Sequence, residues 1–224
     1  MPRARPAASP SPPSLDVAGR NESRSDPVTA GHNARTATED STAIAYIGEL
    51  DSATSRTSVP ITNSADVLQV APGSGATDLV VTETLDDSVP EDVQATGERT
   101  FARVLPSDAV VRESFGSEDV ISGPAEPQDL PDAGQEMLTR FEDEYGREPG
   151  PWVAYGYEAM ASALGAIDRA DDPLSRSSVV EAYFDGTERD SVLGTYSITE
   201  EGETTLDAPL AAYRVEDGEV LPAR

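Results

Sequence analysis

The sequence predicts an α/β fold: a parallel sheet interleaved with helices in the first half, then a C-terminal helical and short-strand return. Three observations predict it. Short apolar runs with β-branched and aromatic residues alternate with N-capped, helix-like segments as far as about residue 112. A Gly/Pro/acidic stretch without periodicity, Gly116–Asp129, then breaks the pattern. Beyond it, apolar residues recur at three- and four-residue spacing in two long segments, and short alternating runs close the chain.

Residues 1–13 are rich in Pro, Ala and Ser and are expected to be disordered. Ser14–Val17 (SLDV) reads as a short strand. Asp26-Pro27 is an N-cap with proline at the first helical position, opening a helix to about Ala37. The run Ala43–Ile47 is the next strand. It breaks at Gly48, and Asp51 and Ser52 then offer N-caps for a polar helix expected to kink or split at Pro60. Asp66–Val70 is a strand that runs into APGSGATDL. Asp86–Glu98 reads as an acidic loop and Arg99–Val104 as a strand. Leu105–Asp108 is a stop signal and cap for a helix, DAVVRESF, that is not expected to develop, and Gly116–Asp129 is a linker by composition.

In the second half, Leu130, Ala133, Met137, Leu138, Phe141 and Tyr145 mark one amphipathic helix, ended by Gly146. Pro151 opens another, with Trp152, Tyr155, Ala159, Met160, Ala163, Leu164 and Ile167 along a broad apolar face that reads as core. Ser175–Phe184 is a shorter helix. Val192–Ile198 and Leu210–Val215 alternate as strands, and Glu216-Asp217-Gly218 is a hairpin turn into Glu219–Leu221.

Composition bounds the function. The net charge is −26, and all 16 positive residues are arginines, so nucleic acid and anionic membranes are disfavoured as partners. The acidic residues are spread along the chain, as on a solvated acidic surface. There is no cysteine, which removes disulfides, thiolate metal sites and cysteine nucleophiles. No apolar run reaches membrane-spanning length, and MPRARPAASPSPPS lacks the apolar core of a signal peptide.

Candidates for catalysis are sparse. His32 is the only histidine and lies in a polar helix, which leaves Ser52 and Ser74 without a base. Ser74 sits in Gly-Ser-Gly, not in the G-x-S-x-G nucleophile elbow. Glu49 and Asp51 could pair as acid and base but are unremarkable in so acidic a chain. Asn21-Glu22-Ser23 matches a glycosylation acceptor. The chain is therefore expected not to be an enzyme and to use no metal or cofactor.

What remains is the pair of strand-end loops, Gly48–Ser52 and Pro72–Ala76. In a parallel sheet the carboxyl ends of adjacent strands lie side by side, so Ser52 and the Gly73–Gly75 backbone are expected to converge on one small polar ligand. A serine hydroxyl with helix N–H groups suits a carboxylate, and a backbone carbonyl suits an ammonium, the combination of an α-amino acid.

The order AYIGELDS, PITN with VLQVAPGSGATDL, and RTFARVLPSD resembles the branched-chain amino acid (Leu/Ile/Val) type periplasmic binding proteins of ABC transporters. The stretch LPDAGQEMLTRFEDEYGREPGPWVAYGYEAMASALGAIDRA, then VLGTYSITEEGETTL and YRVEDGEVLPAR, is similar to the C-terminal return of those proteins into their first lobe. The resemblance implies a partial lobe of the type I periplasmic binding protein fold. Residues 14–112 would form the first part of lobe one, 113–129 a linker in place of lobe two, and 130–224 the C-terminal part of lobe one.

The resemblance also implies ligand contacts at Ser52, Gly73 and Gly75. Gly75 stands where the family carries a hydroxyl-bearing threonine, and Ser74 is the nearby substitute. It further implies an amino acid ligand, transporter membrane subunits as partners and a periplasmic or cell-surface location, although the sequence as written reads as cytoplasmic. The family's first strand and helix have no counterpart before residue 14, so self-association through an exposed sheet edge is expected. A whole second lobe, on the order of 100 residues for a compact domain, is missing between Arg112 and Pro124. Ligand binding is therefore expected to be weak or lost, and a degenerate fragment or interaction module without solute binding is the alternative.

Overall fold

The computed structural model describes residues 18–19, 25–80, 91–206, 211–216 and 219–223. The expected strand Ser14–Val17 and glycosylation triplet Asn21–Ser23 lie outside them. The first half builds α1 (Pro27–Glu39), β1 (Ala45–Ile47), α2 (Ser52–Asn63), β2 (Leu68–Ala71), β3 (Phe101–Arg103) and α3 (Asp108–Phe115). The caps are those the sequence offers: Asp26 accepts from Val28 N, and Asp51 accepts from Thr54 N.

β1, β2 and β3 form a parallel sheet in that order, with Tyr46 opposite Gln69 and Val70 opposite Ala102. Alternation sends Leu68, Val70 and Ala102 to one face, where they pack with Ala154, Ala159, Ala163 and Ile167. Tyr46, Ala71 and Phe101 join clusters on the other face with Ala37 of α1 and Val59 of α2. A sheet covered on both faces explains why β2 is buried throughout. Its one polar residue, Gln69, donates to Ser58 Oγ and Gly48 O and accepts from Thr62 Oγ1, so the buried amide is satisfied.

The second half adds β4 (Ile121–Gly123), α4 (Asp132–Tyr145), α5 (Val153–Arg169), α6 (Arg176–Tyr183), β5 (Arg189–Ser191), β6 (Gly194–Tyr196), β7 (Ala211–Glu216) and β8 (Glu219–Pro222). β5 and β6 form a hairpin. β4, β7 and β8 make a separate antiparallel sheet, with Ser122 opposite Ala212 and Val215 opposite Val220. Arg176 joins the halves: its guanidinium donates to the carbonyls of Thr38, Asp40, Ala43 and Ala65.

Several local expectations are corrected. Pro60 does not split its helix into two pieces; α2 is continuous, because the proline sits in the last turn, where the bond it forfeits is the one to the carbonyl of exposed Arg56. The helix DAVVRESF does form. Ser107 caps it at Val110 N, and Gly116, at φ 59°, closes it in the left-handed conformation. Residues 116–129 contain β4 and a 3-10 turn, Pro127–Asp129, and bury Val120 and Ala125. The run Val192–Ile198 divides at the Val192–Leu193 turn, so Leu193 packs into the core while Gly194–Tyr196 forms one arm of the hairpin.

Candidate ligand site at the strand ends

The adjacency of β1 and β2 brings the two candidate loops together. Ser74 N donates to Leu50 O at 3.2 Å, and Ala76 N donates to Ser52 Oγ at 3.0 Å. Gly73 lies flat against the Leu50 carbonyl, where a side chain would collide with backbone. Ser52, Gly73, Ser74 and Gly75 are thus one cluster.

Their individual geometry differs. Ser52 is the first residue of α2 and half-buried, and its oxygen accepts from Ala76 N, which leaves the hydroxyl its donor capacity. Ser74, at φ 69°, is buried. Its hydroxyl lies 2.6 Å from Ser55 Oγ and 3.3 Å from Glu49 O, so it points into the protein. Gly75 O accepts from Asp108 N at 2.7 Å. The Asp108 carboxylate, which accepts from Ser122 N and Oγ, lies where a Gly75 side chain would be. The start of α3 and the edge strand β4 therefore stand beside the loop.

The carboxylates considered for catalysis have structural partners. Glu49 is buried and accepts from Tyr46 OH at 2.7 Å, while Asp51 caps α2 and accepts from Ser25 N. His32 is exposed on α1 and no contact joins it to either serine.

Sequence reasoning missed Arg103 and Glu203. Arg103 is 0% exposed; Nη1 donates to Ser74 O at 2.7 Å and Ala76 O at 2.6 Å, and Nη2 pairs with Glu203 Oε2 at 2.9 Å. The available signal was a guanidinium inside the apolar run Phe101–Leu105, which demands a buried partner. A second buried group, Glu158 of α5, accepts from Tyr196 OH at 2.7 Å and Arg189 Nε at 3.2 Å. Burial raises its carboxyl above the usual range, with the Tyr196 and Arg189 bonds opposing. Burial likewise pushes the Tyr155 hydroxyl, which accepts from Ala125 N, up to about 12.

Two concavities lie elsewhere. One of about 520 Å³ is lined by Arg112, Val120, Ile121, Arg214 and Val215 among others, and one of about 410 Å³ lies between the ends of α1 and α2 and the start of α6. Among the described residues no acidic or histidine cluster has metal-holding geometry, and no helix is long and apolar enough to cross a membrane.

No family model and no curated protein matches the chain. Solved structures do match. An ABC transporter substrate-binding protein from Desulfitobacterium hafniense, solved in complex with Leu, aligns over 89% of this chain and 86% of its own, with a TM-score of 0.67 at 14% identity. The chain has the fold of ABC-transporter substrate-binding proteins. The leucine-binding protein LivK from Thermotoga maritima agrees, at TM-score 0.59 and 16% identity over 90% of this chain and 85% of that one. So does the branched-chain amino acid substrate-binding protein LivJ from Streptococcus pneumoniae in complex with isoleucine, at TM-score 0.56 and 11% identity over 91% and 86%. The α/β class and the parallel lobe expected from the sequence are those of this substrate-binding fold. Within it, Ser52 and the Gly73–Gly75 loop occupy the carboxyl ends of neighbouring parallel strands.

Proposed function

We propose that this chain is a solute-binding component of an ABC transporter that receives an α-amino acid, of the branched-chain or a related class, at the strand ends. The observation that carries the reading is the convergence of Ser52 and the Pro72–Ala76 loop through the Ser52 Oγ–Ala76 N bond. In this reading the ligand carboxylate accepts from Ser52 O–H, from Gly75 N–H and from the Ser52 and Ala53 amides, which the Asp51 cap leaves to it. The ammonium lies toward the Gly73 carbonyl and the Asp108 carboxylate. Ser74 supports the loop from behind and does not replace the threonine.

Residues 116–120 alone join α3 to β4, so the ligand has one wall. Pockets ordinarily bury most of a ligand, so binding against a single wall is expected to be no tighter than about millimolar Kd, roughly −4 kcal/mol. The setting is extracytoplasmic, with transporter membrane subunits as partners, and the outer edge of β1, the end strand of its sheet, is the surface for self-association. A second reading, an interaction module without solute binding, is favoured by the inward hydroxyl of Ser74.

Amide chemical shifts during titration with leucine, isoleucine, valine and serine distinguish the two. Saturable shifts confined to residues 51–55 and 73–77, lost in Ser52→Ala, are expected. No shift at tens of millimolar ligand (about −2 kcal/mol or weaker) would leave only the second reading.

A further inference from the structure

The strand-end loop owes its shape to a fully buried guanidinium and the partly buried groups around it. Three consecutive carbonyls, of Ser74, Gly75 and Ala76, are drawn inward: the first and third by Arg103 Nη1 at 2.7 and 2.6 Å, the second by Asp108 N at 2.7 Å. A trans peptide places the following N–H opposite each carbonyl. Asp108 N, by holding the Gly75 oxygen, sets the Ala76 N–H that donates to Ser52 Oγ, and the two Arg103 bonds fix the peptides on either side of it, whose N–H groups are those of Gly75 and Thr77.

Arg103 cannot hold this position alone. An unpaired guanidinium in a buried strand is costly, and Glu203 neutralises it through Nη2 at 2.9 Å and Nε at 3.4 Å. Glu203 arrives from the C-terminal return. Its Oε1 also accepts from Ser107 N, the cap of α3, and from Thr204 N. Gly202, at φ 90°, lies against the Phe101 carbonyl, where a side chain would collide, and its own carbonyl accepts from Arg103 N at 3.4 Å. One carboxylate thus fastens the return, the start of α3 and the guanidinium that orients the loop.

We infer that Arg103, held by Glu203, is the positioning residue of the strand-end site and couples the Thr199–Thr204 return to the direction of the loop amides. The inference rests on the site proposed above, but it concerns residues that touch no ligand. Removing the Glu203 charge frees the guanidinium to leave the Ser74 and Ala76 carbonyls. The loop then loses its preset amides while Ser52 and α2 remain in place.

The test compares Glu203→Gln and Arg103→Lys with Arg176→Met, which breaks an arginine–carbonyl clamp elsewhere. Lysine keeps the charge but lacks the fork that reaches two carbonyls and a carboxylate together. In Glu203→Gln and Arg103→Lys, exchange of the amides at 74–77 is expected to rise by about tenfold relative to the β1 and β2 amides, as for a lost charge-assisted bond. Leucine affinity is expected to fall in parallel. Arg176→Met is expected to lower the melting temperature with loop exchange unchanged relative to the sheet. Unchanged relative exchange at 74–77 in Glu203→Gln, or equal loop loosening in Arg176→Met, would overturn the positioning role. Absence of leucine binding by the unsubstituted chain would instead overturn the site reading, and the exchange comparison would still decide the role of Arg103.

Discussion

Among the described residues the parallel and the antiparallel three-stranded sheets are covered very differently. In the parallel sheet, Leu68, Val70 and Ala102 meet α5 on one face, and Tyr46, Ala71 and Phe101 meet α1 and α2 on the other. In the antiparallel sheet Ala212 joins Val111 of α3 and Val120 on one face, while on the other Ala211, at the start of β7, reaches the main core and the far end of the hairpin is open among the described residues. Val215 and Val220, an opposed pair, are each 59% exposed. In a chain with only 37% hydrophobic residues, the core is concentrated where helices close both faces, and the β7–β8 hairpin is left with backbone pairing as its main support. Local opening free energies should follow the same division.

The sharpest way to break this comparison is one substitution made in both sheets. Leu68 is 0% exposed and Leu221 is 41% exposed. Leu68→Ala is expected to cost about 2–5 kcal/mol, the range for a buried leucine whose cavity cannot collapse. Leu221→Ala should stay within about 0.5 kcal/mol, as surface changes do. Denaturant unfolding of both variants checks this. Equal losses would mean that the hairpin face is covered in solution, as a self-associated chain would cover it.

The covered region also tolerates a buried carboxylate, and pH reveals it. Glu158 has its carboxyl raised chiefly by burial, so the folded state holds the proton more tightly than the unfolded chain. Its contribution is therefore fully present below the ordinary glutamate range and is lost as pH rises through the raised folded value. Glu158→Gln keeps an acceptor for Tyr196 OH and Arg189 Nε without the titration. The melting temperature of Glu158→Gln minus that of the unsubstituted chain is expected to increase from acid toward neutral pH. A difference that is flat with pH would show that Glu158 ionises as it does in the unfolded chain.

The sequence made legible those features that local chemistry decides. The caps Asp26 and Asp51, the apolar runs of β1 and β2, and the juxtaposition of Ser52 with Gly73–Gly75 all follow from short-range patterns and parallel-sheet geometry. What escaped depends on partners far along the chain. The direction of the Ser74 hydroxyl is set by Ser55, and the fate of Arg103 is set by Glu203, one hundred positions later. α3 escapes the sequence reading because it is only eight residues long, buries only Val111 and runs straight into a Gly/Pro-rich stretch. The contact that anchors it comes from Ala212, on a strand that no local pattern ties to it.

α3 therefore gives the finest test of the difference between the sheets, because it packs through Val111 on the antiparallel one. Its ends are held by the Ser107 cap and by Gly116, with Ser117 N reaching back to Arg112 O in the Schellman pattern. Ser107→Ala removes the side-chain acceptor of Val110 N and is expected to cost about 1 kcal/mol. Since Ser107 N still donates to Glu203, the loop below should keep its order while α3 and the strands packed on it exchange faster. The expected signature is increased amide exchange at 110–115, 121–123 and 211–215, with β1 and β2 unchanged. If the increase spread evenly into β1 and β2, the two sheets would open as one unit, and the division drawn from their unequal covering would fail.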